Sequence, residues 1–281
     1  MSNSVKPKTG LLKTAKPTTK PSSASTSPSA PQYKDSLQGS KLANIHREVS
    51  QNDKTLVQAF VNALRSLPSP KPDTPPPLTN ALQGNLAEFL VYDLSLSHWL
   101  LFDRKFSWAS NAISPWKDSS DPGLDVLAFV FKPNDKILII EVKSSIGTGT
   151  TSITEDESSL KNDFKKLFNG TSTSRLLMRL SEAFYELKYG REQPELIRRL
   201  AGLVGISPGT SAGVKLIGTL VCSKGTRTAL NVENRTKAFQ ELHQWLINEG
   251  WKTDQIEFRC IELDNLKEFM TQVIQEAAHD L

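Results

Sequence analysis

Between Gly123 and Ser145 the sequence reads GLDVLAFVFKPNDKILIIEVKSS. Two runs rich in Val, Ile, Leu and Phe flank the turn-forming KPND, a pattern that predicts two antiparallel strands joined by a short connection. Strands this apolar call for helices to cover them, which sets the fold class. Yet Asp125, Glu141 and Lys143 interrupt the apolar runs. Side chains alternate along a strand, so Ile139, Glu141, Lys143 and Ser145 share one face, and Leu138, Ile140, Val142 and Ser144 the other. Antiparallel pairing puts Asp125, at the start of the first strand, near the end of the second, where Glu141 and Lys143 sit. Two carboxylates and an ammonium thus meet at one rim of the sheet.

The rest of the chain supplies the covering elements. Residues 1–35 are Ser, Thr, Pro, Lys and Ala with almost no large apolar side chain, which predicts a disordered tail. From 36 to 67, Leu42, Ile45, Val49, Leu56, Phe60, Val61 and Leu64 recur at helical spacing. Six prolines in SLPSPKPDTPPPL, residues 66–78, then exclude a helix. That run reads as a surface loop or as a linker between an N-terminal helical segment, 36–78, and the main domain, 79–281. A helix is expected over 79–97, with Leu82, Leu86, Phe89, Leu90 and Leu94 as its apolar stripe. Strands follow over 99–108, 124–131 and 136–144.

A capping-box spacing at Thr154–Glu157 predicts the start of a helix through SSLKNDFKKLF, and a further helix is expected over 174–188. Strand 213–223, helix 234–250 with Gly250 as its stop, strand 255–263 and helix 265–280 complete the order. The fold class is α/β: a mixed central sheet flanked by helices.

Charge and cysteine content narrow the function. Six lysines precede the first acid, Asp35, and without them the formal charge of +4 becomes −2. A nucleic-acid partner would therefore be held by a local patch or by the tail, not by a global basic field. Cys222 and Cys260 each lie in an apolar strand, which predicts two buried free thiols and a reducing, cytoplasmic compartment. No stretch reaches the roughly 18 apolar residues of a membrane span, and the N-terminus lacks the apolar run of a secretory signal. His46, His98, His243 and His279 are scattered and suggest neither a zinc site nor a catalytic triad. There is no Walker A or dinucleotide fingerprint, so an ATP-driven activity would need a separate partner.

Two adjacent carboxylates repel unless one protonates or a cation lies between them. Hard oxygen ligands with open positions suit Mg²⁺ or Mn²⁺, and a neighbouring lysine can steady developing negative charge. That is the chemistry of phosphodiester hydrolysis. The same spacing also fits a hairpin whose charged ends simply emerge into solvent.

G-L-D ending at Asp125, an apolar strand, a turn and E-V-K over Glu141–Lys143 resemble the signature of the PD-(D/E)xK nuclease superfamily. The order from Thr79 to Ser223 also resembles that superfamily's restriction-endonuclease-like αβββαβ core. The resemblance implies that Asp125, Glu141 and the main-chain carbonyl of Val142 bind Mg²⁺ or Mn²⁺, that Lys143 orients the attacking water or the scissile phosphate, and that DNA is the substrate. It also implies a further acid from the first helix, for which Glu88 is the candidate; a solvated position on that helix is the other reading. The Gln–Tyr motif of the RecB-like branch is absent.

Lys161, Lys165 and Lys166, on the helix after the third strand, could meet a phosphate backbone or form a solvated face, as could Arg175 and Arg179. The segments DVLAF, LIIEVKSS and SLKNDFKKLF are also similar to nuclease subunits of prokaryotic antiphage systems of the Hachiman type, which would imply a helicase or ATPase partner subunit. A catalytically idle nucleic-acid-binding or scaffolding subunit of the same fold is the alternative.

Overall fold

The apolar hairpin forms the middle of a six-stranded mixed sheet in the computed structural model, with strand order β1-β6-β5-β4-β3-β2. The structure describes residues 45–47, 54–66, 72–94, 104–109, 116, 125–130, 136–168, 213–223 and 229–278. Strands β2 (Arg104–Ala109), β3 (Val126–Val130) and β4 (Lys136–Ser145) run antiparallel in sequence. Beyond β4 the sheet is parallel: β5 (Val214–Ser223), β6 (Ile256–Leu263) and β1 (Ile45–Arg47) follow in that spatial order. β5 and β6 are almost continuously buried, as parallel strands covered on both faces must be.

Among the described residues, three helices cover each face. On one, α1 (Lys54–Arg65), α2 (Asn80–Leu94) and α6 (Leu266–Ala278) pack over Leu138, Ile140, Val142, Ile217 and Ile261. On the other, α3 (Thr151–Thr154), α4 (Leu160–Phe168) and α5 (Ala229–Asn248) pack over Ile137, Ile139, Leu216, Leu220 and Phe258. Local chemistry sets the helix ends. Thr79 Oγ1 accepts the Leu82 amide at 3.2 Å and Asn265 Oδ1 the Glu268 amide at 3.1 Å, each satisfying an orphan donor of a first turn. α5 stops at Gly250, whose φ of 95° lets the Trp251 amide reach back to the Leu246 carbonyl at 3.1 Å.

Three expectations change. Ile45, read as part of a helical pattern, lies in β1, a three-residue strand that pairs with β6; apolar residues three or four apart do not by themselves separate a helix from a short edge strand. The capping box at Thr154 is not one: Thr154 ends the one-turn α3, and α4 starts only after Ser159, whose Oγ accepts the Asn162 amide at 3.4 Å. α2 has no single stripe: Leu82, Gln83, Asn85, Leu86, Ala87, Phe89, Leu90 and Val91 are all buried, so it is a central helix.

α1 belongs to the same core. Phe60 stacks on Phe269 of α6 with centroids 6.0 Å apart and lies 5.6 Å from Phe89 of α2. The described part of the proline-rich run therefore joins two helices of one core, within a single unit spanning residues 31–281. The tail over 1–35, the helix expected over 174–188 and Arg175 and Arg179 lie outside the described residues.

Gly149, in the loop after β4, fixes how closely that loop approaches the sheet. Its φ is 75°, and a Cβ there would stand 2.7 Å from Leu220 Cδ2. Gly149→Ala combines backbone strain with a core clash, so a loss of about 1–3 kcal/mol is expected in denaturant unfolding.

Candidate active site

The rim geometry follows from the β3–β4 register. Val126 pairs with Ile140, so Asp125 stands just before the first laddered residue of β3, opposite Glu141. The ladder ends there, and the Asp125 side chain extends it: Oδ2 accepts the Val142 amide at 2.6 Å. A residue's N–H and C=O leave a strand on the same side, so the Val142 carbonyl points to the side where Asp125 sits. Glu141 is 2% exposed, and its Oε1 has no hydrogen-bond partner among the described residues. Gly218 of β5 is its register neighbour, so no side chain from that strand crowds it.

Lys143 lies two residues on, on the same face, and its ammonium forms an ion pair with Asp163 Oδ2 of α4. The other Asp163 oxygen takes Lys166 Nζ at 3.2 Å. On the opposite face Gln83 of α2, buried, donates to Ser144 Oγ at 3.0 Å and ties the end of β4 to that helix.

The electrostatics are those of an acidic site drawn out of water. Burial raises the Asp125 carboxyl from 3.8 to about 6 against the opposing pull of Lys143 and the Val142 amide, and Asp163 adds to the rise. Glu141 is pushed well above the usual carboxylate range by burial, then by the charges of Asp125 and Asp163. Lys143 moves the other way from a typical buried lysine. Burial is the largest single influence and favours the neutral amine, but Asp125, Asp163 and Glu141 together hold the ammonium above its ordinary value. In the absence of a cation the carboxylate pair is expected to retain a proton near neutral pH.

The fold thus brings Asp125, Glu141 and Lys143 together. Glu88 of α2 is half-buried and its charge contributes to the rise at Glu141, so it stands within electrostatic range of the pair. Lys161 is half-buried and Lys165 and Lys166 are exposed on α4, where Lys166 is engaged by Asp163. His243 is half-buried and packs edge-on to Phe258 at 6.4 Å. Asp163 is not among the residues the sequence singles out. The available signal was its position in the inward stripe 160–163–164–167 of α4, whose other members Leu160, Phe164 and Leu167 are buried.

These donors fit a hard divalent cation. The pair offers carboxylate oxygens at one point, one of them orphaned in the protein interior, which is the place a metal–oxygen bond satisfies.

A second buried cluster lies further along the same edge. Cys222 Sγ and Cys260 Sγ are 3.7 Å apart, both thiols are free and buried, and with Glu262 they place three ligand-type atoms within 4.8 Å of one another. Here the cation is already present. Arg235 of α5 donates to Cys222 Sγ at 2.8 Å and pairs with Glu262 Oε1 at 2.8 Å. The Cys222 thiol is drawn down by a hydrogen bond from Cys260 and by Arg235, while Cys260 is pushed well above its ordinary value by that hydrogen bond and by burial. We read this cluster as an internal ion pair lined by sulfur.

Fold and site define a mixed α/β protein with a carboxylate–lysine constellation at the carboxyl end of a central strand. The sequence matches the HamA family over residues 36–277, most of the chain. The protein therefore belongs to the HamA family, which ties it to Hachiman antiphage defence, a multi-component system. No curated protein and no solved structure matches the chain. No helix among the described residues is long and apolar enough to cross a membrane.

Proposed function

We propose that this HamA-family protein is a metal-dependent nuclease that hydrolyses phosphodiester bonds of DNA, as the effector of the defence complex. The observation that carries the reading is Glu141: a carboxylate 2% exposed, with an orphaned oxygen, beside a second desolvated carboxylate and two residues from a lysine. Placing such groups together costs stability, which a fold tolerates where function requires it. The order α2, β2–β3–β4 antiparallel, α4, then β5 parallel to β4 supports a restriction-endonuclease-like core.

In this reading Asp125, Glu141 and the Val142 carbonyl hold Mg²⁺ or Mn²⁺, which when bound polarises the scissile phosphate and acidifies a water. The Val142 amide fixes one Asp125 oxygen and so sets the direction of the other. Lys143, kept protonated by the surrounding carboxylates, acts as a charge stabiliser for the phosphate and not as a general base. Glu88 would then tune the field at Glu141, and Lys161 and Lys165 would meet the DNA backbone. Outside the N-terminal tail the chain is formally acidic, with a charge of −1 over residues 36–281. DNA affinity and strand opening then fall to a helicase or ATPase partner subunit of the complex.

The test is incubation of the full chain with linear and supercoiled DNA, with Mg²⁺ or Mn²⁺, beside Asp125→Ala, Glu141→Ala and Lys143→Ala. The expected result is metal-dependent cleavage that falls by at least about 100-fold in each variant. A wild-type chain that neither cleaves DNA nor binds Mn²⁺ would instead be an idle nucleic-acid-binding or scaffolding subunit.

A further inference from the structure

We propose that Asp163 is the positioning residue for Lys143, a role that rests on the nuclease reading above. Without Asp163, Lys143 would have a competing partner close by. Its ammonium is carried on a flexible four-carbon stem at the end of β4, on the same face as Glu141 and within the field of Asp125. The nearest strong attraction for such a group is the carboxylate pair itself. An ammonium folded down onto that pair would neutralise it and occupy the place of the cation. The structure shows another arrangement: the ion-pair partner of Lys143 is Asp163, on the helix packed over that face.

Asp163 is suited to the task because it cannot wander. α4 is anchored through Leu160, Phe164 and Leu167, all buried, and its first turn is tied down where Asn162 Nδ2 donates to the Asp156 carbonyl at 2.8 Å. The Asp163 side chain is 17% exposed, and its second oxygen is engaged by Lys166, which leaves one oxygen directed at Lys143. Asp163 therefore draws the ammonium sideways. It holds Lys143 beside the carboxylate pair, where a phosphate oxygen can use it, and leaves the pair open. The same two-oxygen contact joins the site to Lys166 on the exposed flank of α4 that would face the DNA backbone.

The test compares wild type, Asp163→Asn, Asp163→Glu, Lys143→Ala and the Asp163→Asn/Lys143→Ala double variant in metal-dependent DNA cleavage. Asp163→Asn should lower kcat by about 10- to 100-fold, the scale of a misplaced catalytic group, with KM for DNA little changed and more Mn²⁺ needed for half-maximal rate, because the released ammonium competes for the carboxylate pair. Asp163→Glu should recover part of the loss. Adding Asp163→Asn to Lys143→Ala should cost nothing further, because Asp163 acts through the lysine.

A second measurement is independent of turnover: acetylation of lysines by an amine-selective reagent, read peptide by peptide by mass spectrometry. With Mn²⁺ saturating, so that the carboxylate pair is occupied, Asp163→Asn should label Lys143 several-fold faster, with Lys215, paired to Glu257, unchanged as the internal control. An Asp163→Asn protein with wild-type kcat, or with wild-type labelling of Lys143, overturns the proposal while the nuclease reading stands. Mn²⁺ binding that Asp163→Asn weakens even in the Lys143→Ala background also overturns it, since Asp163 would then be a ligand. A wild-type chain without cleavage and without Mn²⁺ binding removes the nuclease reading, and the positioning role falls with it. If wild type binds Mn²⁺ but does not cleave, the labelling result decides.

Discussion

Glu141→Gln is expected to stabilise the metal-free protein at pH 8 by about 1–3 kcal/mol, the usual cost of a buried polar group left without its partner. The same substitution should abolish metal-dependent cleavage. The direction follows from linkage. Asp125 rises from 3.8 to about 6 in the folded protein, and Glu141 rises well above 4.5. The folded state then binds protons more strongly than the unfolded state, so stability falls as pH rises. The contribution is fully present below about pH 4 and is lost as pH climbs through 6 and beyond. Glutamine at 141 mimics the protonated acid, with an N–H to offer Asp125 and no charge. Wild type and variant should therefore be equally stable near pH 4 and diverge toward pH 8 in urea unfolding at constant ionic strength. A variant less stable than wild type at pH 8 would mean that Glu141 has a structural partner.

Arg235→Met is the second large effect, and it has the opposite sign. Arg235 is 2% exposed and is the cation paired with buried Glu262 and hydrogen-bonded to Cys222. Removing it takes the Arg235 cation away from a buried carboxylate between β6 and α5, with an expected loss of about 3–5 kcal/mol. Arg235→Met combined with Glu262→Gln should cost clearly less than the two single losses together, because the second change removes the charge the first exposed. Additive losses would show that the two residues act independently and would contradict the ion-pair reading.

The two clusters differ in how visible they were. Asp125, Glu141 and Lys143 were legible because a short turn fixes the register of a hairpin, and a period of two then assigns each charge to a face. Arg235 and Glu262 were not, because they meet only once β5 and β6 are parallel neighbours and α5 has crossed over them. Asp163 lay between these cases. Its stripe was readable, but which strand residue it would meet depended on where α4 begins, and Thr154 offered a false start. The Ser159 cap five residues later swings a different face of the helix toward Lys143. The edge strand β1 escaped for another reason. Three residues carry no periodicity, and only the unsatisfied edge of β6 makes Ile45–Arg47 a strand. Leu82, Leu86, Phe89 and Leu90 marked α2 correctly as a helix, yet Gln83 and Asn85 are buried as well. Polar residues on a helix enclosed on several sides look like a solvated face until its neighbours are known.

The central claim, that Asp125 and Glu141 form a divalent-cation site at the rim of the sheet, is tested most directly by thermal unfolding of the full chain across a Mn²⁺ titration, beside Asp125→Ala. A ligand that binds only the folded state stabilises it by mass action, by about 2.7 kcal/mol at 100 times its Kd. Tm should climb with Mn²⁺ in wild type and stay flat in Asp125→Ala. A flat response in wild type, or an equal climb in both proteins, would contradict the claim.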